Sequence, residues 1–125
     1  MFAPIATTSA PAAVGPYSQG MVTEQFVFTS GQIALHPETK TMPADIADQA
    51  RQALANVRAV LEAAGSGLDK VVKVNIFLTD MDDFATVNAV YGTFFKTPYP
   101  ARSCVAVAAL PLGARIEIEA MAVKR

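Results

Sequence analysis

Apolar residues recur every three or four positions between Ile46 and Ala64, and this stripe constrains the fold more than any other feature. Its members are Ile46, Ala50, Ala53, Leu54, Val57, Leu61 and Ala64. The spacing predicts an amphipathic helix of about five turns with one face to bury. Pro43 and Asp45 suit its start, and the glycines of the segment 65–67 should end it.

Alternating patterns on both sides of this helix predict strands. The first 16 residues are rich in Pro, Ala, Ser and Thr and predict an extended arm, whereas residues 17–36 are strand-like. After the helix, the segment 71–79 alternates, and its apolar face is formed by Val72, Val74, Ile76 and Leu78.

A second helix is predicted after Asp80 or Asp82, either of which can cap it, and Pro98 and Pro100 should end it. Its inward side chains are Phe84, Val87, Tyr91, Phe94 and Phe95. Two further strands, over residues 102–108 and 115–123, are expected to form a hairpin around the turn Pro111-Leu112-Gly113.

The order β-β-β-α-β-α-β-β predicts a single α+β domain over residues 1–125: a mixed sheet of about six strands with two helices on one face. Both late strands carry apolar residues on both of their sides. The two helices can cover only one face of the sheet. Identical subunits are the simplest cover for the other face. The residues therefore predict a homo-oligomer.

Charge and composition exclude several classes of protein. The formal net charge is −1 and the basic residues form no run, which argues against a nucleic-acid partner. The N-terminus has no basic start followed by an apolar stretch, and no run approaches the ~18 apolar residues of a membrane span. We therefore expect a cytoplasmic protein with no membrane partner.

Arg102 is the first candidate for chemistry, because it precedes an apolar strand and arginine rarely enters such surroundings without an anionic partner. Its planar guanidinium matches a substrate carboxylate with two parallel hydrogen bonds. The alternative is a structural ion pair with Glu117 or Glu119, and spacing alone favours that alternative. The two glutamates share one strand face, where one could activate water or both could be rim charges.

Other polar candidates carry weaker signals. Ser30-Gly31 follows a strand, where a glycine lets the backbone approach a ligand or simply makes a turn. Tyr17 and Asn88 are further candidates, although capping or exposure explains Asn88 equally well. The single cysteine, Cys104, excludes an internal disulfide and is best explained as a small buried hydrophobe. With one histidine in the chain, a metal site is not expected.

Several ungapped motifs, in order over essentially the whole chain, resemble the Rid/YjgF family of reactive-intermediate deaminases, specifically its RidA-type subgroup. They are Gly15-Pro16-Tyr17-Ser18-Gln19, Thr29-Ser30-Gly31-Gln32-Ile33, Asp83-Phe84-Ala85-Thr86-Val87-Asn88, Pro100-Ala101-Arg102-Ser103-Cys104-Val105, Leu110-Pro111 and Ile116-Glu117-Ile118-Glu119-Ala120. Two departures are Lys40, where the family's turn has glycine, and a short segment before Pro100.

The resemblance implies a chorismate-mutase-like fold and a homotrimer with a central barrel-like core and three clefts between subunits. It implies that Arg102 binds the substrate carboxylate and that Glu117 handles the hydrolytic water. The remaining matched pocket positions are Tyr17, Ser30, Gly31, Asn88 and Cys104, the last through its backbone carbonyl.

The implied activity is hydrolysis of 2-iminobutanoate and 2-iminopropanoate to 2-oxo acids and ammonia, with no cofactor. Small 2-imino and 2-oxo acids are then the expected ligands. Two alternatives remain open at this point: a ribonuclease or translation-inhibitor role, and a non-catalytic trimer that binds small carboxylates or acts like a chaperone.

Overall fold

The computed structural model describes residues 2–125, which form seven strands and two helices around one mixed sheet. The strands are β1 (Ala3–Ile5), β2 (Gly20–Val22), β3 (Phe26–Thr29), β4 (Gln32–Ile33), β5 (Val71–Leu78), β6 (Ala101–Ala106) and β7 (Ile116–Val123). The helices are α1 (Ile46–Ala63) and α2 (Phe84–Phe94). Short 3-10 turns lie at Leu68–Lys70, Met81–Asp83 and Pro111–Gly113.

The strand order across the sheet is β1-β2-β3-β7-β5-β6, with β4 also pairing with β7. Only the β5–β6 pair is parallel, so the predicted mixed sheet is confirmed. The sheet has seven strands rather than about six. Part of the predicted arm accounts for the difference, because Ala3–Ile5 pairs with β2.

The predicted hairpin between the last two strands is wrong. β5 lies between β6 and β7 and pairs with both. The connection from β6 to β7 instead crosses the end of β5: Val107 N donates to Leu78 O at 2.7 Å, and Thr79 N donates to Arg115 O at 3.2 Å. These two hydrogen bonds pair the carbonyl of Leu78 and the N–H group of Thr79, which a hairpin joining β6 directly to β7 would leave unpaired.

Helix α1 begins and ends where its sequence predicts. The side chain of Asp45 caps it by accepting a hydrogen bond from Asp48 N at 3.1 Å. Ala64 follows as the C-cap, and Gly65 then takes a positive φ of 77° that ends the helix. The apolar stripe is buried against the sheet, with Ala50, Ala53, Leu54 and Leu61 fully inaccessible.

Helix α2 differs at both ends from the prediction. Asp80 caps the preceding 3-10 turn, through a hydrogen bond from Asp82 N, and not the helix itself. The helix ends at Phe94, before the prolines are reached. Its buried face contains Val87, Val90 and Tyr91. Neither α1 nor α2, in the part of the chain described, combines the length and apolar character of a membrane-spanning helix.

The core side of β5 is formed by Val74, Ile76 and Leu78, each at most 1% exposed. Val72 does not belong to it, contrary to the prediction, and is 41% exposed. The register with β7 shifts between Val71 and Lys73, so Val72 is the extra residue of a bulge. A bulge turns the side chains that precede it relative to the regular alternation.

The second face of the sheet is apolar in part, as predicted. Phe28 and Val105 are 39% and 48% exposed, and Met121 and Val123 are half-buried on the same face. We call this surface the open face, and the surface packed against the helices the helix face.

Candidate active site

Arg102 on strand β6 is held by groups of helix α2. Its Nη1 donates to Asn88 Oδ1 at 2.7 Å. Its guanidinium carbon lies 4.7 Å from the centre of the Tyr91 ring and 5.6 Å from that of Phe84. An arginine that is hydrogen-bonded and stacked on aromatic rings keeps a fixed orientation, which two-point binding of an anion requires.

No carboxylate neutralises Arg102 among residues 2–125. The ion pairs there join Arg51 to Asp48, Arg115 to Asp83 and Arg125 to Asp69. Glu119 instead accepts a hydrogen bond from Asn75 Nδ2 at 3.0 Å. The alternative of a structural ion pair between Arg102 and Glu117 or Glu119 within the chain is therefore wrong.

A cavity of about 490 Å³ opens in front of Arg102. Its lining residues are Asn88, Tyr91, Gly92, Tyr99, Pro100 and Arg102. Arg102 is the one charged member of this set, so the cavity presents an unneutralised cation on mostly apolar walls. Such a site attracts small anions.

Cys104 lies on the same face of β6 as Arg102. Arg102 is paired with Val74 and Cys104 with Ile76, and both partners face the helices. The Cys104 side chain packs against the core, and burial raises the pKa of its thiol, an effect that the charge of Arg102 only partly offsets. A thiol of this kind is a poor nucleophile, so the structure agrees with a packing role.

His36 is a turn residue. Its Nδ1 accepts from the backbone N–H groups of Glu38 and Thr39 at 3.2 and 3.3 Å. Across residues 2–125, His, Cys, Asp and Glu side chains nowhere gather in the groups of three or more that could hold a metal ion.

Glu117 lies on the open face of β7, paired with Phe77 of β5 and opposite Ile33 of β4. Burial raises the pKa of its carboxyl, and the negative charge of Glu119 adds to the increase. A carboxylate whose pKa is raised toward neutral pH is a better proton acceptor than an ordinary exposed glutamate.

Gly31 gives Glu117 its space. A Cβ atom on Gly31 would lie 2.7 Å from Glu117 Cδ and 2.9 Å from Oε2. The glycine is needed here for close approach to the carboxylate, which fits the expectation that its backbone lines a pocket.

Ser30 precedes Gly31, and hydrogen bonds join it to the segment that contains Tyr17. Ser30 Oγ donates to Ser18 O at 2.6 Å, and Ser30 N donates to Gln19 O at 2.9 Å. These bonds hold the segment of Tyr17, which is 51% exposed, next to residue 30. Tyr17, Ser30 and Phe28 share the lining of an open cavity of about 360 Å³.

The predicted site residues thus form two groups within one chain. The arginine cluster contains Asn88, Tyr91, Arg102 and Cys104, and the glutamate cluster contains Tyr17, Ser30, Gly31 and Glu117. The first belongs to the helix face and the second to the open face of the same sheet.

Tyr91 is the cluster member that the sequence did not reveal, because its place in the apolar stripe of α2 predicted only a core residue. Its ring stacks on Phe95 at 4.5 Å while also supporting Arg102. Burial raises the pKa of its hydroxyl. A signal was present in the sequence, since Phe84, Asn88 and Tyr91 share one helix face at spacings of four and three.

Comparison with known proteins places the chain in a family. The family model described as Endoribonuclease L-PSP matches residues 7–124. The chain belongs to this family, the YjgF/RidA family. The resemblance in the sequence motifs is therefore confirmed.

Close relatives of this YjgF/RidA chain share nearly its full length. The 2-iminobutanoate/2-iminopropanoate deaminase of Escherichia coli (strain K12) is 54% identical over 97% of each chain. Protein HMF1 of Saccharomyces cerevisiae is 52% identical over 98% of this chain and 95% of its own length. A crystal structure of E. coli TdcF with bound serine has a TM-score of 0.95 at 49% identity, covering 98% of this chain and 99% of that one.

Proposed function

We propose that this protein is a 2-iminobutanoate/2-iminopropanoate deaminase, which hydrolyses reactive 2-imino acids, and their enamine tautomers, to 2-oxo acids and ammonia. The observation that carries the proposal is Arg102, oriented by Asn88 and without a carboxylate partner among residues 2–125, at the mouth of a cavity. The curated relative at 54% identity bears the name of this activity. The TdcF structure with bound serine supports a small amino-acid-like ligand.

We further propose that the active site is assembled between subunits of a homotrimer. The arginine and glutamate clusters face opposite sides of the sheet, so one chain cannot place both on one small substrate. The exposed apolar side chains of the open face, such as Phe28 and Val105, favour coverage by another copy. A cleft between neighbours would bring Arg102 of one subunit to Glu117 of the next.

In this mechanism Arg102 binds the substrate carboxylate with two hydrogen bonds and thereby fixes the position of the imine carbon. Glu117 accepts a proton from a water molecule as the water oxygen bonds to that carbon. Glu117 passes this proton to the nitrogen, which gives a carbinolamine with a hydroxyl and an amino group on the carbon. Glu117 then takes the hydroxyl proton and delivers it to the nitrogen as the C–N bond breaks, so that ammonia leaves. The carbon retains the oxygen as the carbonyl of the 2-oxo acid, and the reaction needs no oxidant or reductant.

The proposal is tested by generating the imine in situ, in the assay mixture. A dehydratase acting on threonine or serine releases 2-iminobutanoate or 2-iminopropanoate, and the rate of 2-oxo acid formation is followed with and without the protein. We expect acceleration over spontaneous hydrolysis, and none with Arg102→Ala. If the wild-type protein leaves the spontaneous rate unchanged, the deaminase proposal fails.

The two alternative functions predict different results with the same protein. A carboxylate-binding or chaperone-like trimer would bind 2-oxobutanoate without accelerating the reaction. A ribonuclease would degrade RNA, a role for which the scattered basic residues provide no continuous surface. The cytoplasmic location remains a prediction.

A further inference from the structure

Strands β3 and β4 both pair with β7, but in different registers. The pairing of β3 ends with Phe28 opposite Met121, and that of β4 begins with Gln32 opposite Ile118. Three residues separate Phe28 from Gln32, whereas two separate Ile118 from Met121. The first side of this ladder therefore contains one extra residue, so the segment 29–31 forms a β-bulge.

The side chain of Thr29 completes the ladder at this bulge. Lys124 N donates to Gln25 O at 2.8 Å, so these two residues form a hydrogen-bonded pair of the antiparallel ladder. Such pairs recur at every second position, and in this register Ala120 N would ordinarily donate to the carbonyl of Thr29. Instead the hydroxyl oxygen of Thr29 accepts that hydrogen bond, at 3.0 Å. Both residues are buried, so the N–H group would lose its partner if the hydroxyl were removed while the bulge persisted.

Toward β2 the same segment continues without a shift. Gly20 is opposite Thr29, and Ser30 N donates to Gln19 O at 2.9 Å, which extends the same register by one residue. Ser30 therefore stays with β2 while the chain returns to β7 only with β4. Thr29 is thus bound to the neighbouring strand on each side, and its hydroxyl makes the bond to β7.

The register shift decides which residue lies beside Glu117. Ile33 is opposite Glu117, and Gly31 shares its face of the sheet because it is two positions away. If the register of β3 continued without the bulge, Ser30 would take the place of Gly31. A Cβ atom at Gly31 would lie 2.7 Å from Glu117 Cδ, which is too close for any side chain. The bulge therefore places the one residue without a side chain against the carboxylate.

We propose that Thr29 is a positioning residue for the hydrolytic step: its hydroxyl holds the bulge that keeps Gly31 beside Glu117 and so fixes the carboxylate that handles the water. The inference rests on the proposed deaminase function, which assigns this role to Glu117. Thr29 lies on the helix face, as its opposite residue Ala120 does, whereas Glu117 lies on the open face. Its effect on turnover passes through the backbone of residues 30 and 31.

The test replaces Thr29 by valine, which has a similar shape but no hydroxyl, and measures turnover of 2-iminobutanoate generated in situ. We expect kcat to fall about tenfold or more, because a displaced carboxylate no longer orients the water. The affinity for the stable product 2-oxobutanoate, which binds through Arg102, should stay close to that of wild type. Calorimetric titration measures this affinity.

Two further variants at the same position separate the hydroxyl from the rest of the side chain. Thr29→Ser keeps the hydroxyl and should recover most of the lost kcat. Thr29→Ala lacks the hydroxyl and is smaller than threonine, so it should show the same loss as valine, and it replaces Thr29→Val if the core does not accept valine.

The matched control is Thr23→Val, at the other end of β3. The hydroxyl oxygen of the half-buried Thr23 accepts a hydrogen bond from Phe26 N at 2.9 Å, so this variant removes a similar bond from the same hairpin. Both valine variants should unfold at lower urea concentration than wild type. Only Thr29→Val should lose kcat.

Three results would overturn the positioning role: a wild-type kcat in the variants without the hydroxyl, a parallel loss of kcat and of 2-oxobutanoate affinity, or no recovery in Thr29→Ser. An equal loss of kcat in Thr23→Val would do the same, because it would reflect stability alone. In these cases wild type still accelerates the reaction, so the deaminase function stands. If wild type leaves the spontaneous rate unchanged, the proposed function fails, and the role of Thr29 fails with it.

Discussion

Arg102 and Glu117 lie on opposite faces of one sheet. Arg102 is paired with Val74, which faces the helices, whereas Glu117 is paired with Phe77, which faces the other way. Their strands β6 and β7 are not neighbours, because β5 separates them. These two residues are the strongest candidates for catalysis. Because they lie on opposite faces of the sheet, they cannot act on one small molecule unless a second chain supplies one of them.

Replacing Arg102 should abolish most activity without unfolding the protein. Loss of one partner of a desolvated charge pair costs about 2–5 kcal/mol, so kcat/KM in Arg102→Ala should fall at least about tenfold. Arg102→Lys keeps the charge but not the planar fork, and should recover only part of the loss. Circular dichroism and the elution volume on size exclusion should match wild type. Full activity in Arg102→Ala would rule out the carboxylate-binding role.

Gly31→Ala should impair catalysis through Glu117. The new Cβ would lie 2.7 Å from Glu117 Cδ, so the carboxylate must move. We expect a lower kcat with little change in the affinity for 2-oxobutanoate, which binds through Arg102. Unchanged kcat in Gly31→Ala would mean that the position of the Glu117 carboxylate does not matter for turnover.

The pH dependence should follow the ionisation of Glu117. Burial and the charge of Glu119 raise the pKa of this carboxyl, and a base is active only when ionised. When the pH is lowered, activity should therefore be lost at a higher pH than it would be if the base were a glutamate of ordinary pKa. Glu119→Gln removes the repulsion and should shift this acidic limb to lower pH. If the acidic limb of the pH–activity profile is the same in Glu119→Gln as in wild type, Glu119 does not influence the titrating group.

The raised pKa of Glu117 also affects how the free energy of unfolding depends on pH. The folded state binds the proton on Glu117 more tightly than the unfolded state, so ionisation disfavours folding as pH rises from the ordinary value to the raised one. Glu117→Gln should accordingly be more stable relative to wild type at pH 7 than at pH 4, while hydrolysing more slowly. Urea unfolding at both pH values measures the difference.

Local patterns in the sequence were sufficient to predict the helices and most strands. The stripe from Ile46 and the capping side chain of Asp45 are interactions between near neighbours, so their spacing contains the information. The pairing of β5 with both β6 and β7 depends on contacts between residues 28 to 51 positions apart in the sequence, which no local pattern specifies. The hairpin prediction failed for that reason.

The site was predictable as a set of residues but not as an arrangement. Arg102 and Glu117 stood out as charges in apolar strands, yet the side on which each lies depends on the pairing partner. The bulge at Val72 shows how one extra residue reverses such an assignment. The cavity at Gly92 was invisible for a different reason: a missing side chain gives no signal in a pattern of apolar residues.

Lys40→Gly should stabilise the protein. Lys40 has a φ of 58°, in the left-handed region, at the position where the family turn has glycine. A side chain in this region costs about 1–2 kcal/mol, partly offset by the greater freedom of an unfolded glycine, so the net gain should be about 0.5–1 kcal/mol. Lys40→Ala is the control and should show no gain, because it retains the Cβ. Equal unfolding free energies for the glycine and alanine variants would show that backbone strain is absent.

Mixed trimers should recover activity that neither parent variant has. Arg102→Ala and Glu117→Gln are produced together with different affinity tags, and assemblies that carry both tags are purified. If each cleft takes Arg102 from one subunit and Glu117 from the next, every mixed trimer contains one cleft with both native residues. Activity should then reach about one third of the wild-type value, because one of three symmetric clefts is intact. Unmixed trimers of each variant are the controls. If both residues of a cleft came from the same chain, mixing could restore nothing, and the mixed assemblies would be no more active than the average of their parents.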